Sequence, residues 1–350
     1  MADVQVSHPA AGVGRLGTVA AWVSAAACLP YLFLKVVWTL DLPVGLTDRS
    51  VLQSSGWVAG NAVMAAVQLV AVVLVLALVR PWSRRVPAWV LLLPVWVGTG
   101  LLFQVVVGSA LTVLTSTAAQ DSGTELGGIA PWVYVLVYAS FAVQGVALAV
   151  AFGCHVRARW GGLLNRRTGE VVALPPAQQA RLGRLATLAA VLALAVALVC
   201  VYWAAGGLSG LSDARAHDTA GMQAARAAGA LVAAAGVLSL AGRWGRERAL
   251  WLPAALTWIG SGALVVFDAL TVLVNRLVYL FAAQPPEADW APIDTVLVVK
   301  VLVGVLVGVV GALAISPRSA AAGARRRTPA ARRSSRDRRT AAGSARGRPR

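Results

Sequence analysis

Apolar residues along this chain do not alternate with polar ones; they gather into eight long runs with few polar breaks. The runs cover 16–40, 57–78, 88–114, 131–153, 185–203, 221–240, 251–274 and 296–315. About 20 residues at 1.5 Å each cross the ~30 Å hydrocarbon core of a bilayer. Lipid offers no hydrogen-bond partner to a bare peptide group, so runs of this kind span a membrane as helices. The pattern predicts an all-α membrane protein with eight transmembrane helices. The sixth run departs most from the pattern, being Ala-rich and interrupted by Arg226.

The segments between the runs alternate in charge. Starting from a cytoplasmic N-terminus, the internal segments hold Arg15, Arg80, Arg84, Arg85, six Arg between 155 and 184, Arg243, Arg246, Arg248 and the 12 Arg of 316–350. The external segments hold only Arg49, Arg215 and Arg276, together with nine acidic residues. Lys and Arg are retained on the cytoplasmic side, so this asymmetry predicts that both termini lie inside.

The chain also repeats itself. WTLDLPVGLTD at 38–48 aligns with WAAGGLSGLSD at 203–213, an offset of 165. Trp82, Trp89, Trp96, Gly98 and Gly100 align with Trp244, Trp251, Trp258, Gly260 and Gly262 at an offset of 162. Each copy carries four runs, an even number, so two parallel four-helix repeats are predicted, related by an axis along the membrane normal. The expected organisation is a first repeat at 1–154, a basic linker at 155–184, a second repeat at 185–315 and an Arg-rich cytoplasmic tail at 316–350. The repeated Trp fall near helix ends, where indoles sit at lipid headgroups. Gly98, Gly100, Gly260 and Gly262, and the Gly304-x-x-x-Gly308 pair, are small residues suited to close helix contact.

The segments LPYLFLKVVW (29–38) and YWAAGGLSGL (202–211) resemble those of uncharacterised multi-pass membrane proteins of actinobacteria. The usage of 29 Arg against two Lys fits a high-GC genome. The resemblance implies location in the cell membrane and no particular activity.

Composition agrees with lipid as the main solvent: 58% of residues are hydrophobic and 13% charged, against about 25% charged in soluble domains. The net charge of +17 is concentrated in the tail. That points to anionic lipids at the inner leaflet as the tail's partner, with no nucleic acid expected. The tail has no apolar face to bury and is expected to be disordered. Cys28, Cys154 and Cys200 lie in or beside apolar runs and read as small helix filler.

No His-Glu-x-x-His, Gly-x-Ser-x-Gly or phosphate-loop motif is present, and no cofactor is called for. What remains is a set of polar residues inside spans: Lys35, Asn61, Arg226, Asp268 and Lys300. Such residues cost roughly 2.5–3.5 kcal/mol in lipid when charged and mark a bundle interior or cavity. The two lysines could alternatively snorkel to the headgroups. Asp268 is too short for that and is expected to pair with a cation, Lys300 first and Arg226 second. In the external loops, Asp48 and Asp213 read as turn or cap residues, or as contacts for a ligand from outside. His217 with Asp213 and Asp218 is a remote metal candidate.

Two function classes fit. One is a non-enzymatic membrane scaffold, sensor or partner-anchoring component. The other is a transporter or channel for a small, anionic solute, using a cavity between the halves. They separate on whether water reaches the intramembrane charges. A reporter active only in the cytoplasm is expected to work when fused at the C-terminus and to stay silent at Asp121 or Glu287. Activity at either loop would reverse the orientation.

Overall fold

A computed structural model describes residues 13–53, 55–80, 87–115, 128–172, 174–211, 220–242, 245–282 and 292–315. Among these residues, eight helical segments are long and apolar enough to cross a membrane. The first span is α1 (Gly14–Ala27) followed by α2 (Leu29–Thr39), and the next three are α3 (Ser55–Leu78), α4 (Ala88–Thr115) and α5 (Pro131–Leu164). A four-residue turn, α6 (Thr168–Val171), leads to α7 (Pro176–Ala204), α8 (Ala220–Leu240), α9 (Trp251–Ala282) and α10 (Pro292–Ile315). Large apolar side chains in mid-helix point outward, including Val146, Leu198 and Leu302, each more than 60% exposed. Their natural solvent is hydrocarbon. The interior is built from small residues: Ala186, Ala189, Ala193, Ala225, Ala230 and Ala233 are fully buried. Helices in lipid associate by close packing, and small side chains allow it.

Several helices outrun the apolar runs. The first span is interrupted at Cys28, because Pro30 has no N–H to give the carbonyl of Ala26 and its ring crowds the preceding turn. The residue 165 positions on from Pro30 is Ala195, and α7 is unbroken there. Helix α5 continues to Leu164 and α7 begins at Pro176, so most of the expected 155–184 linker is helical. Hydropathy sees only the part of a helix that lies in lipid. The remaining connector is pinned to the α8–α9 loop: Thr168 N donates to Arg248 O at 2.9 Å, Gly169 N to Arg246 O at 2.9 Å, and Leu250 N to Arg166 O at 2.9 Å.

The turns after α2 and α7 are alike bond for bond. The indole of Trp38 donates to Val44 O at 2.8 Å, and that of Trp203 to Ser209 O at 3.0 Å. Each helix closes with a residue in the left-handed region, Asp41 at φ +63° and Gly206 at φ +95°. The amide after it bonds back across the last turn: Leu42 to Val37 O at 2.9 Å, Gly207 to Tyr202 O at 3.0 Å. These are Schellman closures. Each turn then meets the N-terminus of the fourth helix of its set, with Ala130 N donating to Gly45 O and Ile293 N to Gly210 O, both at 2.9 Å.

The two sets of four helices meet along α4, which lies against α8 and α9. A Cβ on Gly100 would lie 2.5 Å from Gly262 O, so the two backbones touch. Around this crossing the bonds are reciprocal: Trp96 Nε1 donates to Ser261 Oγ at 3.0 Å, and Trp258 Nε1 to Thr99 Oγ1 at 3.0 Å. Gly221 seats against Thr112 on α4, where a Cβ would come within 2.1 Å of the backbone amide.

Candidate functional site

The five intramembrane candidates fall into two groups. In the first set of helices, Lys35 on α2 donates to Asn61 Oδ1 on α3 at 2.8 Å. Its ammonium also lies 5.0 Å from the ring centre of Tyr31 and 4.8 Å from that of Trp38. A cation over two aromatic faces is held by their quadrupoles. Lys35 thus turns inward rather than snorkelling. Asn61 completes its bonding by donating to Trp57 O at 2.9 Å.

The second group is an ion cluster. Asp268 on α9 receives Arg226 Nη2 from α8 at 3.3 Å and the ammonium of Lys300 from α10. Both of the expected partners are therefore engaged by the one carboxylate. The side chains of Arg226, Asp268 and Lys300 are 3%, 2% and 0% exposed. Lys300 does not snorkel; it is the largest fully buried side chain among the described residues. Among the described residues two cations share this one carboxylate, and low-dielectric surroundings penalise any charge left unbalanced. The carboxylate has a cation on each oxygen. Cys200 on α7 is buried and lies within electrostatic reach of all three charges.

Asn61 and Arg226 occupy corresponding positions at the offset of 165, yet bond to different neighbours: Asn61 to the helix before it, Arg226 to the helix after. Asp268 corresponds to Val106 at the offset of 162, so the first set has no acid at that place and needs no second cation.

Asp48 is exposed and has a local role. It accepts the amide and the hydroxyl of Ser50 at 2.8 and 2.7 Å, opening a short 3₁₀ turn, Arg49–Gln53. The Ser50 hydroxyl, then its amide, hold the Asp48 carboxyl below the usual carboxylate range. Asp213, His217, Asp218 and the tail 316–350 lie outside the described residues.

Charge-based reading missed the buried amides. Gln68 and Gln144 meet at 3.1 Å, and Gln104 Nε2 on α4 donates to Ala263 O on α9 at 3.0 Å. Their signal was available: a Gln midway along an apolar run is costly without a partner. Gln68 and Gln144 line a cavity of about 620 Å³ walled mainly by α3, α4 and α5, with Ser24 and Tyr31 of the first span and Phe267 and Leu270 of α9 closing it; its described lining is otherwise almost wholly apolar.

The fold and these sites define a multi-pass α-helical membrane protein. No known protein family, curated protein or solved structure matches the chain.

Among the described residues Asp268 is the cluster's one acid, and removing it takes the carboxylate from two buried cations. Asp268→Asn is expected to destabilise the protein by about 3–5 kcal/mol, read as a fall in unfolding free energy in bicelles. Adding Lys300→Gln should recover part of that loss. A double variant no more stable than Asp268→Asn would contradict the pairing.

Proposed function

We propose that the chain is a non-enzymatic, multi-pass component of the cell membrane, one that anchors or organises a partner and carries no solute. The observation behind this reading is the burial of the ion cluster. A solute carrier would use such charges as a binding layer, and water would have to reach them from one side. Arg226, Asp268 and Lys300 have at most 3% exposure, and the charged side chains do not line the large cavity. The cluster then serves to fix α8, α9 and α10 in register, a use of buried ions as specificity devices.

In the same reading the molecule consists of two four-span halves entering the membrane in one direction, with both termini cytoplasmic. The matched Schellman turns support the duplication, as do the reciprocal Trp96–Ser261 and Trp258–Thr99 bonds. The basic loops support the orientation, and the short loops leave the basic tail and the α5–α7 connector as the surfaces for lipid or a partner.

Cys200 provides the test. With Cys28→Ala and Cys154→Ala in place, Cys200 in proteoliposomes should resist a charged, membrane-impermeant thiol reagent while reacting fully after denaturation. Rapid modification of the folded protein from either side would show a water path to the cluster and favour a carrier.

A further inference from the structure

The cavity, walled by the first set of helices and by Phe267 and Leu270 of α9, has chemistry of its own. It exists because α3 stands away from α4, and the sequence explains why. In the second set, Gly260 packs on the backbone of Ala233 and Gly236 on that of Leu256 and Thr257, with Gly229 against Ala263. At the corresponding places α3 carries Met64 for Gly229, Gln68 for Ala233 and Ala71 for Gly236. Larger side chains hold the helices apart, and all three line the cavity. Across from them, a Cβ on Gly98 would meet only Leu148 Cδ2 at 3.6 Å, ordinary contact at the edge of open space.

The cavity opens sideways. Val70 and Leu93 lie on its lining and are each 56% exposed on the outer surface of their spans, so the mouth faces hydrocarbon. The Gln144 amide borders the cavity with bonding capacity to spare. Gln68 Nε2 donates to Gln144 Oε1, and the Ser24 hydroxyl takes the backbone carbonyl of Gln144. The Gln144 side-chain N–H groups have no acceptor among the described residues, though Gln144 is only 5% exposed. Gln144 lies 13 residues from Pro131 and nine from Gly153, the ends of the apolar run, which puts it within about 3 Å of the middle of the span.

These facts limit the occupant. Among the described residues no charged side chain lines the cavity, which disfavours phosphate and zwitterionic headgroups. Phospholipid ester carbonyls lie near the headgroups and do not reach the midplane. Tyr31, Phe141 and Phe267 on the walls suit a flat ring. The volume of about 620 Å³ falls in the usual range of small-molecule sites, and the open side leaves room for a tail in the bilayer. We propose that this cavity binds the ring of a neutral, lipid-soluble carbonyl compound of the isoprenoid-quinone class, with a ring carbonyl accepting from Gln144 Nε2.

The test uses the full chain in phosphatidylglycerol–phosphatidylethanolamine nanodiscs and a photoreactive naphthoquinone bearing a short isoprenoid tail. Saturable labelling is expected within 64–75, 93–105 or 141–148, competed by the unlabelled quinone. Gln144→Leu keeps the volume but removes the donor, and should raise the half-saturating concentration about fivefold. Gly98→Leu, or Ala71→Leu if the first fails to fold, should fill the space and abolish labelling with the melting temperature retained. Label spread evenly over lipid-facing positions such as Leu198 and Leu302 would overturn the proposal. So would labelling unchanged by the filling variants, or a photoreactive phospholipid chain that occupies the cavity and is not displaced by quinone.

Discussion

The backbone contact between α4 and α9 at Gly100 and Gly262 is the constraint on which the rest of the structure depends. Lipid gives two apolar helices no hydrophobic reason to associate, so van der Waals contact and interhelical hydrogen bonds must hold them. Two glycines let the backbones touch, and that approach brings Trp96 within reach of Ser261 and Trp258 within reach of Thr99. Ring contact between Phe152 on α5 and Trp258 on α9, at 5.3 Å, extends the same junction. With α9 fixed against α4, α8 is drawn into the groove between them, and its Gly221, Gly229 and Gly236 seat against neighbouring helices.

Around that junction the two sets of four helices take different courses. In α8, glycine and alanine at 229, 233 and 236 let α9 close down, and the tight packing shields a charge cluster that loose packing would expose to lipid. In α3, Met64, Gln68 and Ala71 keep α4 at a distance. Space remains there, and an amide pair replaces the ions. Corresponding positions 61 and 226 are polar in both sets but differ in charge, in keeping with a cluster on one side and a simple lysine–amide pair on the other. The two sets of four helices thus differ through a few changes in side-chain size: one closes around an ion cluster, and the other keeps an uncharged cavity beside its Lys35–Asn61 pair.

Much of this was legible in the sequence because lipid imposes a simple rule. Span number followed from run length; of the four repeated glycines marked for close contact, Gly100, Gly260 and Gly262 do pack on a neighbouring backbone, whereas Gly98 faces open space. The pairing of Asp268 was legible too, since a short acid deep in a helix has few ways to be satisfied. Other features were out of reach. The break at Cys28 needed attention to Pro30, which hydropathy ignores. The length of α5 beyond Gly153 lies outside lipid, where an Arg-rich helix gives no apolar signal. The cavity depends on comparing α3 with α8 residue by residue, and on knowing that those faces meet α4 and α9. Gln68 and Gln144 carry no charge, and their one sign in the sequence is the cost of a lone amide within an apolar run.

Three glycine variants measured side by side test the crossing most directly. A Cβ at 100 would lie 2.5 Å from a carbonyl oxygen and 3.0 Å from Gly262 Cα; one at 262 would come no closer than 3.2 Å to any atom; one at 98 would rest at 3.6 Å from a single methyl. Unfolding free energies of Gly100→Ala, Gly262→Ala and Gly98→Ala in bicelles should therefore fall in that order, with the largest loss at Gly100 and almost none at Gly98. A Gly100→Ala protein as stable as Gly98→Ala would contradict the account, because α4 and α9 would then not touch where the structure joins its two halves.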